Sequence, residues 1–313
     1  MKSIKIHFLS MLRYGGLCLL ILGCFTSGLM AQSSSTPATT VLKDSTTPAA
    51  KPIPVKNTFE GTYIIDNQTC DVPFKKTFEF AIQHRFGTIN NGYKDFYGIY
   101  APAHIRLGFI YTPINNLSVG IGFAKEKMTW DGNVKYAIIR QSETGGWPAS
   151  ISYFGNMGVD TREKKDNFVN DIDRISYFNQ LMIARKITEK LSLQVSGSIS
   201  YFNNVEGYFN SDGTTSPKMK NSHAAIAFLG RYKCTDAIAI IANYDQPLTE
   251  HPMNNPHPNV SFGLEIGTRG HIFQIFLGNY ESILQQYNNM FNSNDYTQSR
   301  YVIGFNITKK WHL

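Results

Sequence analysis

Six ionisable residues stand out because each falls on the polar row of a stretch whose side chains alternate with an apolar row: Glu79, Arg85, Arg106, Lys135, Lys186 and Glu265. Basic side chains lining a water-filled lumen select anions. The same cations, paired with carboxylates and amides, would instead fill and seal a narrow one. Both roles stay open on the sequence. Glu79 and Glu265 are the acids available as partners, and Arg85 and Arg106 are the candidate contacts for a passing solute.

Other combinations carry less chemistry. His84 and Ser299 are the one pair from which an enzyme can be built, an imidazole activating a hydroxyl against lipid esters. Both fall on the apolar row near one rim, but no third residue is identifiable to orient the histidine, so the chain is read as non-enzymatic. Cys70 precedes the first long stretch and Cys234 lies in a short turn, both expected at the same rim. An oxidising compartment would permit a Cys70–Cys234 bridge pinning the N-terminal segment to the mouth, with two free thiols as the alternative. His251 and His257 flank a Pro/Asn-rich loop, yet neither Cys nor carboxylate spacing supports a metal there. Gly120-Ile121-Gly122 lies inside a strand and precedes no helix, which excludes a nucleotide loop. No catalytic, cofactor or metal residue is assigned.

The elements that would position these groups follow from composition and periodicity. Charged residues are 17% of the 313-residue chain, against about 25% in a typical soluble domain. No internal apolar run approaches the ~20 residues of a membrane helix. The polar rows are Gly, Ser, Ala, Gln and Asn, where a solvated sheet face would carry Lys and Glu. A membrane β-barrel is the economical account of all three observations; a soluble β-sandwich is the alternative, and the make-up of the polar rows speaks against it.

The formal charge of +7 includes the N-terminal segment. There Lys2, Lys5 and Arg13 precede the apolar run Leu17–Phe25 and a processing region ending at Ala31, the layout of a secretory leader over 1–31. Ile21-Leu22-Gly23-Cys24 also offers a poor lipoprotein box. Residues 32–57, rich in Ser, Thr, Pro and Ala, form a disordered tether whose mild charge keeps it solvated and marks no nucleic-acid site. Residues 58–313 are the barrel.

The closing stretch, Ser299–Leu313, places Tyr301, Ile303, Phe305, Ile307, Trp311 and Leu313 on one row and Val302, Gly304, Asn306, Thr308, Lys310 and His312 on the other. Leu191–Tyr201 is equally clear, with Leu193, Val195, Ile199 and Tyr201 opposing Ser192, Gln194, Ser196, Ser198 and Ser200. Strands are expected at 76–87, 103–112, 117–124, 133–141, 148–157, 174–186, 191–203, 222–232, 237–244, 259–267, 271–280 and 299–313. That makes about twelve, an even number. Connections alternate long and short, except near Thr129–Gly132, and the last strand must pair with the first because open edges are untenable in hydrocarbon. Tyr111, Tyr136, Tyr153, Tyr201, Tyr232, Tyr244 and Trp311 fall near strand ends, as an interfacial girdle would.

Three segments carry a further likeness: H-R-F-G at 84–87 with the following I-N-N-G-Y-K-D-F-Y-G, E-I-G-T-R-G-H-I-F-Q-I at 265–275, and the terminal I-G-F-N-I-T-K-K-W. In order and spacing the chain resembles a bacteroidete-type family of membrane-bound β-barrels of unknown function, over about residues 58–313. The resemblance implies an outer-membrane location and supplies no catalytic residue. The terminal Trp311-His312-Leu313 departs from a simple aromatic end.

The expectation is an all-β, antiparallel transmembrane barrel in the outer membrane with a periplasmic tether. It would pass or bind a small solute. The alternative is a non-enzymatic envelope component that recruits a partner through its loops or tether. No cofactor is implied. The expected partners are outer-membrane lipid, the barrel-assembly machinery, and a small solute or envelope protein.

Overall fold

The structure, a computed structural model, describes residues 53–298 and 300–313. The leader, Cys24 and residues 32–52 of the expected tether lie outside the described residues, as does Ser299. Twelve antiparallel strands close into a barrel. They are β1 (Thr77–Thr88), β2 (His104–Ile114), β3 (Leu117–Ala124), β4 (Thr129–Ile139), β5 (Ser150–Asp160), β6 (Ile175–Lys186), β7 (Leu191–Phe202), β8 (Ser222–Lys233), β9 (Ile238–Pro247), β10 (Asn259–Gly267), β11 (His271–Gly278) and β12 (Val302–His312). Each pairs with its neighbours in sequence, and β12 returns to β1 with Phe305 opposite His84 and Ile307 opposite Ile82. Closure leaves no backbone edge for hydrocarbon to desolvate.

The two rows of each strand face opposite ways. On β7, Ser192, Gln194, Ser196, Ser198 and Ser200 are buried inward while Ile199 and Tyr201 are exposed outward. Tyr111, Tyr136, Tyr153, Tyr201, Tyr232 and Trp311 are likewise exposed on the outer face. The connections divide by length between the two ends. Four tight turns and the longer residues 140–149 lie at one end, which we call the short-turn end. Residues 89–103, 161–174, 203–221, 248–258 and 279–301 lie at the other, together with the tight 125–128.

The strand boundary that differs most from the sequence reading is the start of β4. Thr129–Gly132 is not a connection: β4 begins at Thr129, and the turn is 125–128, where Lys127 and Met128 take positive φ. Asp131-Gly132 has turn chemistry, but the Asp131 carboxylate is taken up by Arg106 across the barrel wall and Trp130 packs edge-on against Phe123 at 4.6 Å. Tertiary contacts hold a turn sequence in a strand.

The core sits inside the lumen. Phe59, Ile64 and Ile65, from the segment before β1, pack against inward-facing Phe154, Phe178, Met182, Leu229, Ile241 and Phe276. Further upstream, Ile53–Pro54 pairs with Thr144 and Ser142 in the β4–β5 connection, and Val55 N donates to Gln141 O at 2.8 Å. The chain therefore enters the barrel from the short-turn end.

Candidate functional site: the occupied lumen

Residues 59–72 form an insert running inside the barrel. Tyr63–Ile64 pairs with Asn67–Gln68, and Ile65 and Asp66 make the turn between them. A backbone segment buried away from water must find a partner for each N–H and C=O, and the wall supplies them. Ile65 N donates to Gln274 Oε1 at 3.0 Å, and Ile65 O accepts from Asn306 Nδ2 at 2.7 Å and Arg85 Nη2 at 3.2 Å. Cys70 N donates to Gln194 Oε1 at 2.9 Å, and Cys70 O accepts from Ser152 Oγ at 2.6 Å. Thr58 O, just before the insert, accepts from Ser192 Oγ at 2.6 Å. The inward row of Ser, Asn and Gln is thus a set of ligands for the insert. Ile65 has φ of 59°, an uncommon conformation for a β-branched residue that persists only where its surroundings over-determine it. Three wall hydrogen bonds to Ile65 do so.

A second segment enters from the long-loop end. The helix Gln285–Phe291 lies inside the barrel mouth, and it meets the insert at Asp66. Gln285 Nε2 donates to Asp66 O at 2.5 Å, Asn288 Nδ2 to Asp66 Oδ2 at 3.0 Å, and Tyr280 Oη to Asp66 Oδ1 at 2.8 Å. Burial pushes the Asp66 carboxyl above the usual carboxylate range, against the pull of the Tyr280 hydrogen bond and the Arg85 charge. A cavity of about 20 Å³ remains where the segments meet, bordered by Tyr63, Asp66, Gln83, Arg106, Asn156 and Gln285. That is room for about one water.

Five of the six residues singled out by row lie in this lumen. Glu79 accepts from Thr62 Oγ1 at 2.6 Å, and Lys135 Nζ donates to Thr62 O at 2.6 Å. Arg106 grips Asp131 through Nε and Nη2, both at 2.7 Å, and reaches Gln83 Oε1 at 2.9 Å. Glu265 accepts from Arg231 Nε at 2.7 Å. Arg85 donates to Asn306 Oδ1 at 2.9 Å and lies over the Phe276 ring at 4.4 Å from its centroid. Lys186 stands apart at the short-turn rim, where its Nζ reaches Lys56 O at 3.4 Å. The geometry adds Asp66, Asp131, Arg231 and Asp245. Arg231 lies on the inward row of an expected strand and was detectable by the same alternation; Asp131 and Asp245 fall just outside the expected strands, and Asp66 belongs to the insert, which has no strand periodicity.

The remaining described candidates are engaged with other partners. His84 faces outward, stacked on Phe305 at 4.9 Å and beside Phe86 at 4.4 Å. Of the two arrangements left open for Cys70 and Cys234, the bridge is not formed: both are free thiols. The insert carries Cys70 inside the barrel, against β5 and β7, while Cys234 is exposed on the β8–β9 turn. His251 packs on His223 with their ring nitrogens 2.9 Å apart, and His257 bonds Asn292 through its backbone.

The profile of the membrane-bound beta barrel domains (DUF5777) matches residues 59–311, the barrel together with its insert. The chain belongs to this family. None of the curated proteins matches the sequence. Among solved structures the chain is similar to the NanC porin (TM-score 0.46, 9% identity, 74% of this chain and 98% of that one). It is also similar to the KdgM porin (0.43, 10%, 75% and 99%). A third is an outer membrane channel from Pseudomonas putida F1 (0.42, 11%, 77% and 97%). The family assignment and the twelve-strand closure together make this a membrane-bound β-barrel.

Proposed function

We propose that the chain is an outer-membrane barrel for passive passage or binding of a small solute, gated by its own N-terminal insert. The observation that carries this reading is where the insert comes from. It is continuous with the segment tied to the short-turn rim, so a pull on that segment draws the insert out along the way it entered. In an outer membrane the short turns face the periplasm, so on this reading the tether lies there and the long loops outside. The insert's backbone is held largely by side-chain hydrogen bonds, each contributing a net ~0.5–1.5 kcal/mol because water can replace them. The outward aromatic rows meet lipid, and the terminal strand through Trp311-His312-Leu313 is what the assembly machinery would engage.

The helix Gln285–Phe291 favours a second reading. A lumen filled from both ends suits a closed envelope component that recruits a partner through its loops or tether. Conductance separates the two. Ser150 is buried on β5 beside the Cys70 thiol, so Ser150→Cys in a Cys234→Ser background is the variant with which to lock the insert to β5. In planar bilayers the reduced protein should open reproducibly, fall silent on oxidation and recover with reductant. Silence of the wild type and of the reduced variant alike would select the closed component.

A further inference from the structure

Most of the inward carboxylates of the wall come with a basic partner. Asp131 has Arg106 at 2.7 Å, Asp160 has Arg162 at 2.7 Å, Glu265 has Arg231 at 2.7 Å, and Glu79 has Lys310 at 4.0 Å. Asp245 on β9 departs from this pattern. It is 2% exposed, and its side-chain partners are amides: both oxygens accept from Asn67 Nδ2 at 2.8 Å, and Oδ2 also from Asn243 Nδ2 at 2.9 Å. The same Asn243 nitrogen lies 3.2 Å from Asp66 Oδ1. A wall carboxylate and an insert carboxylate thus share a donor, and neither forms an ion pair among the described residues. Buried charge demands compensation. Arg85, the nearby cation, gives its hydrogen bonds to Ile65 O, His84 O and Asn306 Oδ1 instead.

A second observation is independent of the carboxylates. Two buried amides of the same network each keep a carbonyl oxygen without a donor: Asn288, whose nitrogen donates to Asp66 Oδ2, and Gln180, whose nitrogen donates to Asn67 Oδ1. These residues are 2% and 1% exposed. Acceptors are also in surplus at Asn67, whose Nδ2 has two hydrogens and three oxygens at 2.8–2.9 Å. Turning the Asn67 and Gln180 amides together keeps their mutual bond with the roles reversed. It also brings Asn67 Oδ1 in among the Asp245 oxygens and Asn243 Oδ1. Carboxylate and carbonyl oxygens gathered in this way are the ligand set of a hard cation.

We propose that a divalent cation of the calcium class binds between Asp66 and Asp245 and fastens the tip of the insert to β9. The fastening role rests on the reading of the insert as a gate, whereas the binding site does not. The test uses the full mature protein in detergent, stripped with chelator and titrated with Ca²⁺ at neutral pH. Calorimetry should give saturable uptake of about one ion per barrel. It should be weaker in Asp245→Asn by at least about tenfold, the scale of losing even an outer partner of a metal. Amide exchange over residues 59–72 should slow on adding Ca²⁺ to the wild type. Absence of saturable uptake by the wild type overturns the proposal even if the variant fails to fold. So does uptake equally strong in Asp245→Asn and Asp66→Asn, or protection gained on acidification without ion uptake, which marks a shared proton. Bilayer recordings of the same preparation separate the two readings. Uptake with silent bilayers keeps the site and removes the gate; openings without uptake keep the gate and remove the site.

Discussion

Arg85 Nη2, on the strand that closes the barrel, donates to the carbonyl of Ile65 at the tip of the insert, 3.2 Å away. The contact joins two events that a bare barrel would keep apart, the pairing of β1 with β12 and the filling of the lumen. Arg85 reaches inward past Gly304, where an added Cβ would stand 3.0 Å from Arg85 Cδ and 2.5 Å from the Phe276 ring. The absence of a side chain at 304 gives the guanidinium its place over Phe276. Charge, ring and insert carbonyl are held as one unit, without an ion pair to Arg85 among the described residues.

Arg85→Ala should therefore loosen the insert more than the barrel. A hydrogen bond from a charged group contributes about 1.5–3 kcal/mol, and 1.4 kcal/mol is tenfold in an equilibrium. Amides of residues 59–72 should exchange roughly ten- to a hundredfold faster, while those of β7 and β8, on other parts of the wall, stay protected. Equal acceleration throughout would mean that Arg85 supports the wall alone.

The Arg106–Asp131 pair should behave in the opposite way. It is bidentate, buried, and pressed against Gly122, where an added Cβ would stand 2.2 Å from Arg106 Nη2. Asp131→Asn leaves a buried guanidinium uncompensated, at a cost of about 3–5 kcal/mol, and Gly122→Ala displaces it. Both should lower the denaturant midpoint of the detergent-solubilised barrel. Arg106→Met combined with Asp131→Leu, which removes the charges together, should recover much of the loss. A double variant no better than Asp131→Asn would assign the effect to packing.

The barrel was legible because burial on a two-faced wall writes itself into alternate residues: Ser192 to Ser200 against Leu193 to Tyr201 needs no partner to interpret. The contents of the lumen were not. Gln194, Gln274 and Asn306 look the same in sequence whether they face water or an insert backbone. Residues 59–72 show neither period because each group answers to the wall rather than to its neighbours. One signal was present. Phe154, Phe178, Met182, Leu229 and Phe276 interrupt the inward rows with apolar side chains that water would not favour, and they are where Phe59, Ile64 and Ile65 pack.

Acid should release the long-loop end at His251. Its Nδ1 accepts from Lys220 N at 2.9 Å and its Nε2 meets His223 Nδ1 at 2.9 Å, an arrangement that needs the neutral ring. Burial, then the Lys220 charge, holds its pKa below the ordinary histidine value. A depressed histidine contributes stability that is complete above its unfolded pKa, about 6.5, and is lost as pH falls below that value toward the folded one. Protection of the amides of residues 248–258, relative to their intrinsic exchange rates, should fall as the pH drops below about 6.5. Replacement by Gln, which keeps an acceptor without titrating, should flatten the profile; an unchanged profile would place the titrating group elsewhere.

Ion selectivity of the opened lumen gives the sharpest division among the inward cations. Withdrawing the insert takes Ile65 O from Arg85 and Thr62 O from Lys135, but leaves Arg106 on Asp131 and Arg231 on Glu265. Paired charges present little net field to a passing ion, whereas unpaired ones select by sign. In the reduced Ser150→Cys protein, Arg85→Ala should thus lower anion preference, read as a shift of the reversal potential in a salt gradient. It should also lengthen the open time by weakening the docked state. Arg106→Met with Asp131→Leu should leave the reversal potential nearly where it was. If that pair shifts selectivity and Arg85→Ala does not, the conducting path runs along β2 to β4, and the side of the lumen vacated by the insert tip plays no part in choosing the ion.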